Sequence, residues 1–257
     1  MSTRLDIENI KKEIIGLTIP KPVSGTLSGH AAGEPFDKLV YSKLKERYPN
    51  NTYRQFEYLN KLYLENLDVT SIKGRHNLIK PFALAVMLSR GSQATIDWSP
   101  ENLFDERQND TADILVVTES FYQLIDVKTY NVSKKGQPPN IISALKLANM
   151  CKNMIDSKVF NSHEIIYISV DWVLESNQLK ATGCDLKYLF KSNPEKLYIN
   201  WAAAMQIQFY VDKLEQTFNG SIEDWCHLYL KAFVKGAQKR ASKMLKDFVE
   251  PFSEYTQ

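Results

Sequence analysis

The sequence predicts an α/β chain: a central sheet with helices packed around it and helical extensions at both ends. Three observations lead there. Apolar residues recur at helical spacing near both termini. Short β-branched and aromatic runs, separated by turn residues, fill the stretch from Asp113 to Cys184. Neither an internal repeat nor a low-complexity tract interrupts the chain, so 1–257 reads as a single domain.

Each element follows from local pattern. Ile7, Ile10, Ile14 and Ile15 share a helical face and Gly16 follows, which predicts an amphipathic helix over 4–15. A Pro/Gly/Ser stretch, 17–32, leads to a second helix starting near Gly33, with Phe36, Leu39, Val40 and Leu44 on its buried face. Segments 54–66 and 77–89 read as helices, although the aromatics of the former would also suit a strand. Asp113–Val117 and Phe121–Val127 are strand-like and separated by Thr118, Glu119 and Ser120. A polar loop, 129–139, precedes a helix expected to begin near Asn140. A hairpin follows: Ile165–Leu174, a turn at Ser176 and Asn177, then Leu179–Cys184. Residues 221–249 are helical by period, with Trp225, Tyr229, Phe233, Met244 and Phe248 in register.

Composition excludes more than it selects. The chain has 257 residues, 44% hydrophobic and 24% charged, which rules out a disordered chain, a fibre and a disulfide mini-protein. Its 32 basic and 30 acidic residues leave a net charge of +2, which points to no partner in particular. Cys151, Cys184 and Cys226 lack zinc-site spacing and read as small buried hydrophobes of a reducing compartment. The N-terminus is charged and lacks a signal-like apolar region. Runs such as Phe82–Leu88 fall well short of the roughly 20 residues that span a bilayer. A cytoplasmic protein without membrane contact is expected.

The chemistry concentrates in one hairpin. Asp-x-Lys occurs three times, at Asp126–Lys128, Asp156–Lys158 and Asp185–Lys187. Asp156 follows a helical run, where its lysine need not share its face. Asp185 ends a strand, where a two-residue turn at Ser176–Asn177 would set Ile168 opposite it. The first copy differs. Alternation puts Asp126 and Lys128 on one face of a strand, and a two-residue turn at Glu119–Ser120 would place Asp113 directly opposite Asp126, with Cβ atoms about 4.5–5.5 Å apart. Adjacent carboxylates repel, and a divalent cation resolves the repulsion; magnesium accepts one or two carboxylates together with waters and phosphate oxygens. A lysine on the same face can orient or deprotonate an attacking water. The plainer alternative is a strand-edge ion pair with no chemistry.

An acid at a strand start, a short hairpin and then Asp-x-Lys resembles the active site of the PD-(D/E)xK nucleases, with Ala112 where the motif has its proline. Three longer stretches narrow the resemblance: Ser24–Phe36 (SGTLSGHAAGEPF), Gln108–Leu115 (QNDTADIL) and Tyr198–Phe209 (YINWAAAMQIQF). These are similar to the HincII-type type II restriction endonucleases, over essentially the whole chain. The resemblance implies a restriction-endonuclease-like core with a mixed sheet flanked by helices. It also implies a homodimer that cuts both strands of duplex DNA at GTYRAC, leaving blunt ends with 5′-phosphates, with Mg2+ as cofactor. Asp113 and Asp126 would bind the metal with the main-chain carbonyl of Val127, and Lys128 would position or activate the water. A cognate methyltransferase in the same cell is a functional partner, since unprotected host DNA would be cut.

DNA contacts fall in two places. Residues 129–140 combine Lys134 and Lys135 with the amides of Gln137 and Asn140; on residues alone this is more simply a solvated surface loop. By resemblance, Gln137 presses into the base stack and Asn140 reads a base. The family pattern has alanines on both sides of this glutamine, whereas this sequence has Gly136 and Pro138, a change that bears on loop stiffness. In the Tyr198–Ala204 run, Tyr198 and Asn200 are candidate contacts and Ala202 is small enough for main chain to approach bases. Without the resemblance the run reads as core with Asn200 capping a helix. Gln108 is a further candidate.

Other residues are set aside. His30, His76, His163 and His227 have no ligand spacing and are expected in surface or capping roles. Glu34 suits a helix N-terminus, with approach to the metal as a minor alternative. Lys235, Lys239, Arg240, Lys243 and Lys246 read as the solvated side of the last helix, or as trackers of phosphates. Two other readings remain at this stage: a repair or recombination nuclease without strict sequence choice, and a DNA-binding module with a structural acid pair.

Overall fold

A computed structural model describes residues 4–22, 30–65, 81–88, 111–134, 136–202 and 205–256. Among them, six strands form a mixed sheet: β1 (Thr18–Pro20), β2 (Thr52–Tyr53), β3 (Ile114–Val117), β4 (Tyr122–Asn131), β6 (His163–Glu175) and β7 (Gln178–Tyr188). Their order is β1-β7-β6-β4-β3-β2, antiparallel except for the central β4–β6 pair. A small antiparallel sheet, β5-β9-β8, joins β5 (Asn140–Ser143), β9 (Gln206–Gln208) and β8 (Ile199–Asn200). The helices are α1 (Ile10–Ile14), α2 (His30–Arg47), α3 (Gln55–Glu65), α4 (Phe82–Leu88), α5 (Ala144–Ser157) and α6 (Ile222–Met244).

Period-two alternation divides the core between the two faces of the sheet. Ile114, Ile125, Ile166 and Ile168 face Ile10 and Ile14 of α1 and Phe36, Val40 and Leu44 of α2. Leu115, Leu124, Ile165 and Tyr167 face α3, α4, α5 and α6. The parallel β4–β6 pair requires a crossover, which carries α5 over that second face. Ser143 caps α5, accepting from Lys146 N–H at 3.3 Å, and Lys158 closes it in the left-handed region at φ 57°. A capping box between Ser221 and Asp224 starts α6. Beyond Met244 the chain continues through a π-type turn (Leu245–Val249) and a 3-10 segment (Glu250–Tyr255), exposing Leu245, Phe248, Val249, Phe252 and Tyr255.

The expected elements are present, with informative differences. The first helix covers only Ile10–Ile14 of 4–15, and the second begins at His30, three residues before Gly33. Strand β4 runs to Asn131, so the loop starts at Val132 and not at Thr129. Asn140 opens strand β5 and no helix: Ile142 pairs with Ile207 of β9, Ile141 is buried at the register shift before it, and the Ser143 cap delays the helix to Ala144. Ser176 (φ 46°) and Asn177 (φ 64°) form the expected two-residue turn, both in the left-handed region as a type I′ hairpin requires. A bulge then places Thr182 between the Asp171–Gly183 and Trp172–Ala181 pairs, so Asp185 lies opposite Ser169 and not Ile168. His163 is fully buried at the start of β6, against the surface or capping role expected of it; Ser162 Oγ lies 2.9 Å from its Nδ1 and Met150 Sδ 3.3 Å from its Nε2. His227 is exposed, as expected, whereas His76 and the side chain of His30 lie outside the described residues.

Candidate active site and nucleic-acid interface

The β3–β4 hairpin has the register that brings two acids together. Ile114 pairs with Ile125 and Val117 with Tyr122, and Thr118 N–H closes the turn onto Phe121 O at 2.9 Å. Asp113 therefore enters β3 opposite Asp126. Its Oδ2 accepts from the backbone N–H of Val127 at 2.7 Å, which holds the first carboxylate against the strand that carries the second. Lys128 Nζ donates to Asp126 Oδ1 at 2.7 Å.

Asp126 is buried, with 8% of its side chain exposed, and its Oδ2 has no hydrogen-bond partner. Burial is the main cause that raises its pKa well above the usual carboxylate range; Lys128 pulls it down, and Asp113 raises it again. Burial also opposes the Lys128 ammonium, but Asp126, Asp113 and Asp37 together outweigh it and raise that pKa. The strand-edge ion pair exists, yet it satisfies only one oxygen of Asp126. A buried carboxylate oxygen left bare beside a second carboxylate suits a cation. Among the described residues no three His, Cys, Asp or Glu side chains gather as a metal cage. Two carboxylates with open positions match a hard ion that keeps its waters, such as magnesium, better than zinc.

Arg54, which the sequence pattern did not single out, braces the site from behind. Its Nη1 donates to Asp37 Oδ1 and Oδ2 at 2.8 and 2.7 Å and to Asp113 O at 3.3 Å, while its guanidinium carbon lies 4.4 Å from the centroid of the Tyr41 ring. One cation thus ties α2 to the start of β3. Asp37, and not Glu34, is the acid of α2 whose charge reaches Lys128; Glu34 pairs with Lys38 at 2.6 Å. The Asp156–Lys158 copy of Asp-x-Lys disperses. Lys158 bonds Glu223 at 2.9 Å, while Asp156 pairs with Lys152.

The small sheet collects the candidate DNA contacts. Asn140, on β5, and Asn200, on β8, flank the central strand β9. Asn200 caps a turn and not a helix, with Ala202 N–H donating to its Oδ1 at 3.1 Å. Lys134 and Gln137 are exposed on the loop after β4, which Tyr210 anchors by donating from its hydroxyl to Gly136 O. Tyr198 is 62% exposed and Ala202 is exposed. Tyr198 lines a cleft of about 620 Å3 together with Trp201, Lys239, Arg240 and Lys243, so part of the basic face of α6 opens onto this sheet. Gln108 and Lys135 lie outside the described residues. The three cysteines are free and buried as expected, and Cys151 and Cys226 are in contact although 75 residues separate them in sequence.

A mixed sheet bearing paired aspartates and a lysine on one hairpin defines a nuclease core of the PD-(D/E)xK type. The family model for restriction endonuclease HincII matches residues 10–256. The chain is 52% identical over 248 residues to the type II restriction enzyme HindII of Haemophilus influenzae (strain ATCC 51907 / DSM 11121 / KW20 / Rd), covering 96% of each chain. It is equally 52% identical over 248 residues, at 96% of each chain, to the type II restriction enzyme HincII of Haemophilus influenzae. The chain belongs to the HincII restriction endonuclease family. It is a type II restriction endonuclease, a hydrolase of duplex DNA, and the family implies a divalent metal cation. The repair-nuclease and binding-module readings give way to it. Among the described residues no helix is long and apolar enough to cross a membrane.

Proposed function

We propose that this enzyme, acting as a single domain over 1–257, cuts both strands of GTYRAC in duplex DNA, with Mg2+ as its cation, and leaves blunt ends with 5′-phosphates. The bare, buried Oδ2 of Asp126 beside Asp113 carries the metal part of this reading. Asp113, Asp126 and the main-chain carbonyl of Val127 would hold the ion, which supplies Lewis-acid stabilisation of negative charge at the scissile phosphate. Val127 N–H and the Arg54 brace keep the Asp113 carboxylate in place. Lys128, on the same strand face as Asp126 and hydrogen-bonded to it, would orient the attacking water or help to deprotonate it, and its charge would offset that developing on the phosphoryl oxygens.

Lys134 and Lys135 suit phosphates, and Gln137 and Asn140 the bases beyond them. Gln108, Tyr198, Asn200 and Ala202 complete the proposed interface. The degenerate Y-R centre is read partly through the ease with which pyrimidine–purine steps unstack. A two-fold homodimer matches a palindromic site, and the exposed apolar side chains of Leu245, Phe248, Val249, Phe252 and Tyr255 offer surface for a second copy to cover. Function in the cytoplasm requires a cognate methyltransferase to protect host DNA.

Incubation with a plasmid containing GTYRAC sites, with and without Mg2+, tests the proposal. Discrete fragments that religate as blunt ends support it. A smear, or cutting at other sequences, refutes the specificity, and undiminished cutting in chelator refutes the metal.

A further inference from the structure

Three side-chain amides form a line across the small sheet. Ala202 N–H donates to Asn200 Oδ1 at 3.1 Å, Asn200 Nδ2 donates to Gln208 Oε1 at 3.1 Å, and Gln208 Nε2 donates to Asn140 Oδ1 at 2.8 Å. The backbone supports this geometry. Gln208 pairs with Asn140 across β5–β9, and its own N–H donates to Tyr198 O at 3.0 Å across β8–β9.

A carboxamide has two ends of nearly the same shape, one an acceptor and one a donor, and only its partners decide which way it points. The line begins at a group that has no choice, because a main-chain N–H can only donate. It therefore turns the Asn200 oxygen towards Ala202 and the Asn200 nitrogen towards Gln208. Gln208 must then offer its oxygen to Asn200 and its nitrogen to Asn140. The polarity passes along intact, and the exposed Asn140 is left with its NH2 group at the far end.

We propose that Gln208 is a specificity-determining positioning residue, which holds the Asn140 amide donor-outward so that it reads a hydrogen-bond acceptor on DNA. This rests on the reading of Asn140 as a base contact. In the major groove the matching acceptors are purine N7, guanine O6 and thymine O4. The amino groups of adenine and cytosine would meet donor with donor and be rejected. An Asn140 free to rotate could satisfy either kind of edge, so the fixed amide, and not the mere presence of an asparagine, carries the selectivity. Gln208 itself need not touch DNA.

The test compares cleavage of duplexes carrying GTYRAC with duplexes changed at one base pair at a time, in Mg2+, for the wild-type chain and three variants. Asn140→Ala is expected to flatten the preference at one base pair. Gln208→Met keeps the length of the side chain and removes the relay; it is expected to reduce discrimination at that same pair roughly tenfold and to leave the ratios at other pairs intact. Gln208→Glu still accepts from Asn200 but repels the Asn140 oxygen. It should turn that oxygen outward and shift the preference at the same pair towards an edge presenting an amino group.

Should Gln208→Met melt too early to assay, Gln208→Glu decides alone. A preference shift confined to the pair read by Asn140 supports the inference, and a uniform loss over all duplexes overturns it. Discrimination within twofold of wild type in Gln208→Met, with Asn140→Ala flattened, overturns the role of Gln208 and leaves Asn140 as a reader. Unchanged discrimination in Asn140→Ala overturns both.

Discussion

The backbone N–H of Val127 donates to Asp113 Oδ2 at 2.7 Å, so the strand that presents Asp126 also fixes the carboxylate facing it. The two acids are held together by main chain, which cannot swing away to relieve their repulsion. Asp113→Asn keeps an acceptor for Val127 and removes one negative charge. Cleavage is expected to fall by about 10³-fold or more, while the metal-free protein gains about 1 kcal/mol because Asp126 loses its like-charged neighbour. Single-turnover cleavage and urea unfolding in chelator measure the two effects; a variant both less active and less stable would contradict this account.

The proposed cation site makes a thermodynamic prediction. Adding Mg2+ should raise the thermal midpoint of the wild type, with a gain near 2.7 kcal/mol at about 100 times the dissociation constant. Asp113→Asn and Asp126→Asn should each lose most of that gain. Calorimetric scans with Mg2+ and with chelator provide the comparison, and an equal shift in all three proteins would place the ion elsewhere.

Lys128 is expected to bear on cleavage more than on DNA affinity. Lys128→Ala should abolish cutting while the affinity for a GTYRAC duplex, measured by fluorescence anisotropy, stays within a few-fold of wild type. Retained cutting would remove Lys128 from the mechanism. Arginine should not substitute, since its planar fork and higher pKa suit neither the space beside Asp126 nor the role of a compact ammonium.

Arg54 is partly buried against Asp37, with 11% and 22% of their side chains exposed. Arg54→Met is expected to destabilise the protein by about 2–3 kcal/mol, less than the ~3–5 kcal/mol for breaking a fully buried pair, because Asp37 keeps some water. It should also slow cleavage by loosening the carbonyl of Asp113. A double-mutant cycle with Asp37→Asn separates the contributions: coupling near zero would mean that the two side chains act independently.

His163 gives stability a distinct pH signature. Burial lowers its pKa to about 4, below the ordinary value of about 6.5 that it has when unfolded. The unfolded chain therefore binds the extra proton first. Stability from this residue is complete above about pH 6.5 and is lost progressively as the pH falls towards 4, by about 3 kcal/mol in all. Urea unfolding of the wild type and His163→Gln at several pH values isolates the effect. Parallel pH profiles for the two proteins would show that His163 does not titrate in this way.

The hairpin that matters most was legible in the residues. A two-residue turn and strict alternation determine which side chains stand opposite each other, and both are local properties, so the facing of Asp113 and Asp126 could be read without coordinates. The second hairpin was legible only as far as its bulge, because neither alternation nor turn length signals the extra residue at Thr182. Asn140 was misplaced on a helix for a related reason: its strand exists only because β9, far along the chain, pairs with it.

The sequence by itself determined the class of fold, the acid–acid–lysine constellation and, through stretches shared with a known family, the kind of reaction. Those features follow from short-range pattern and from residues whose chemistry is unambiguous. Only the tertiary structure decided that Asp126 keeps a bare buried oxygen, that Arg54 ties Asp37 to Asp113, that His163 lies in the core, and that Gln208 links Asn140 to Asn200. Each of these joins residues from different elements or depends on burial. Burial and hydrogen-bond polarity are set by whatever the fold brings alongside, which no local pattern specifies.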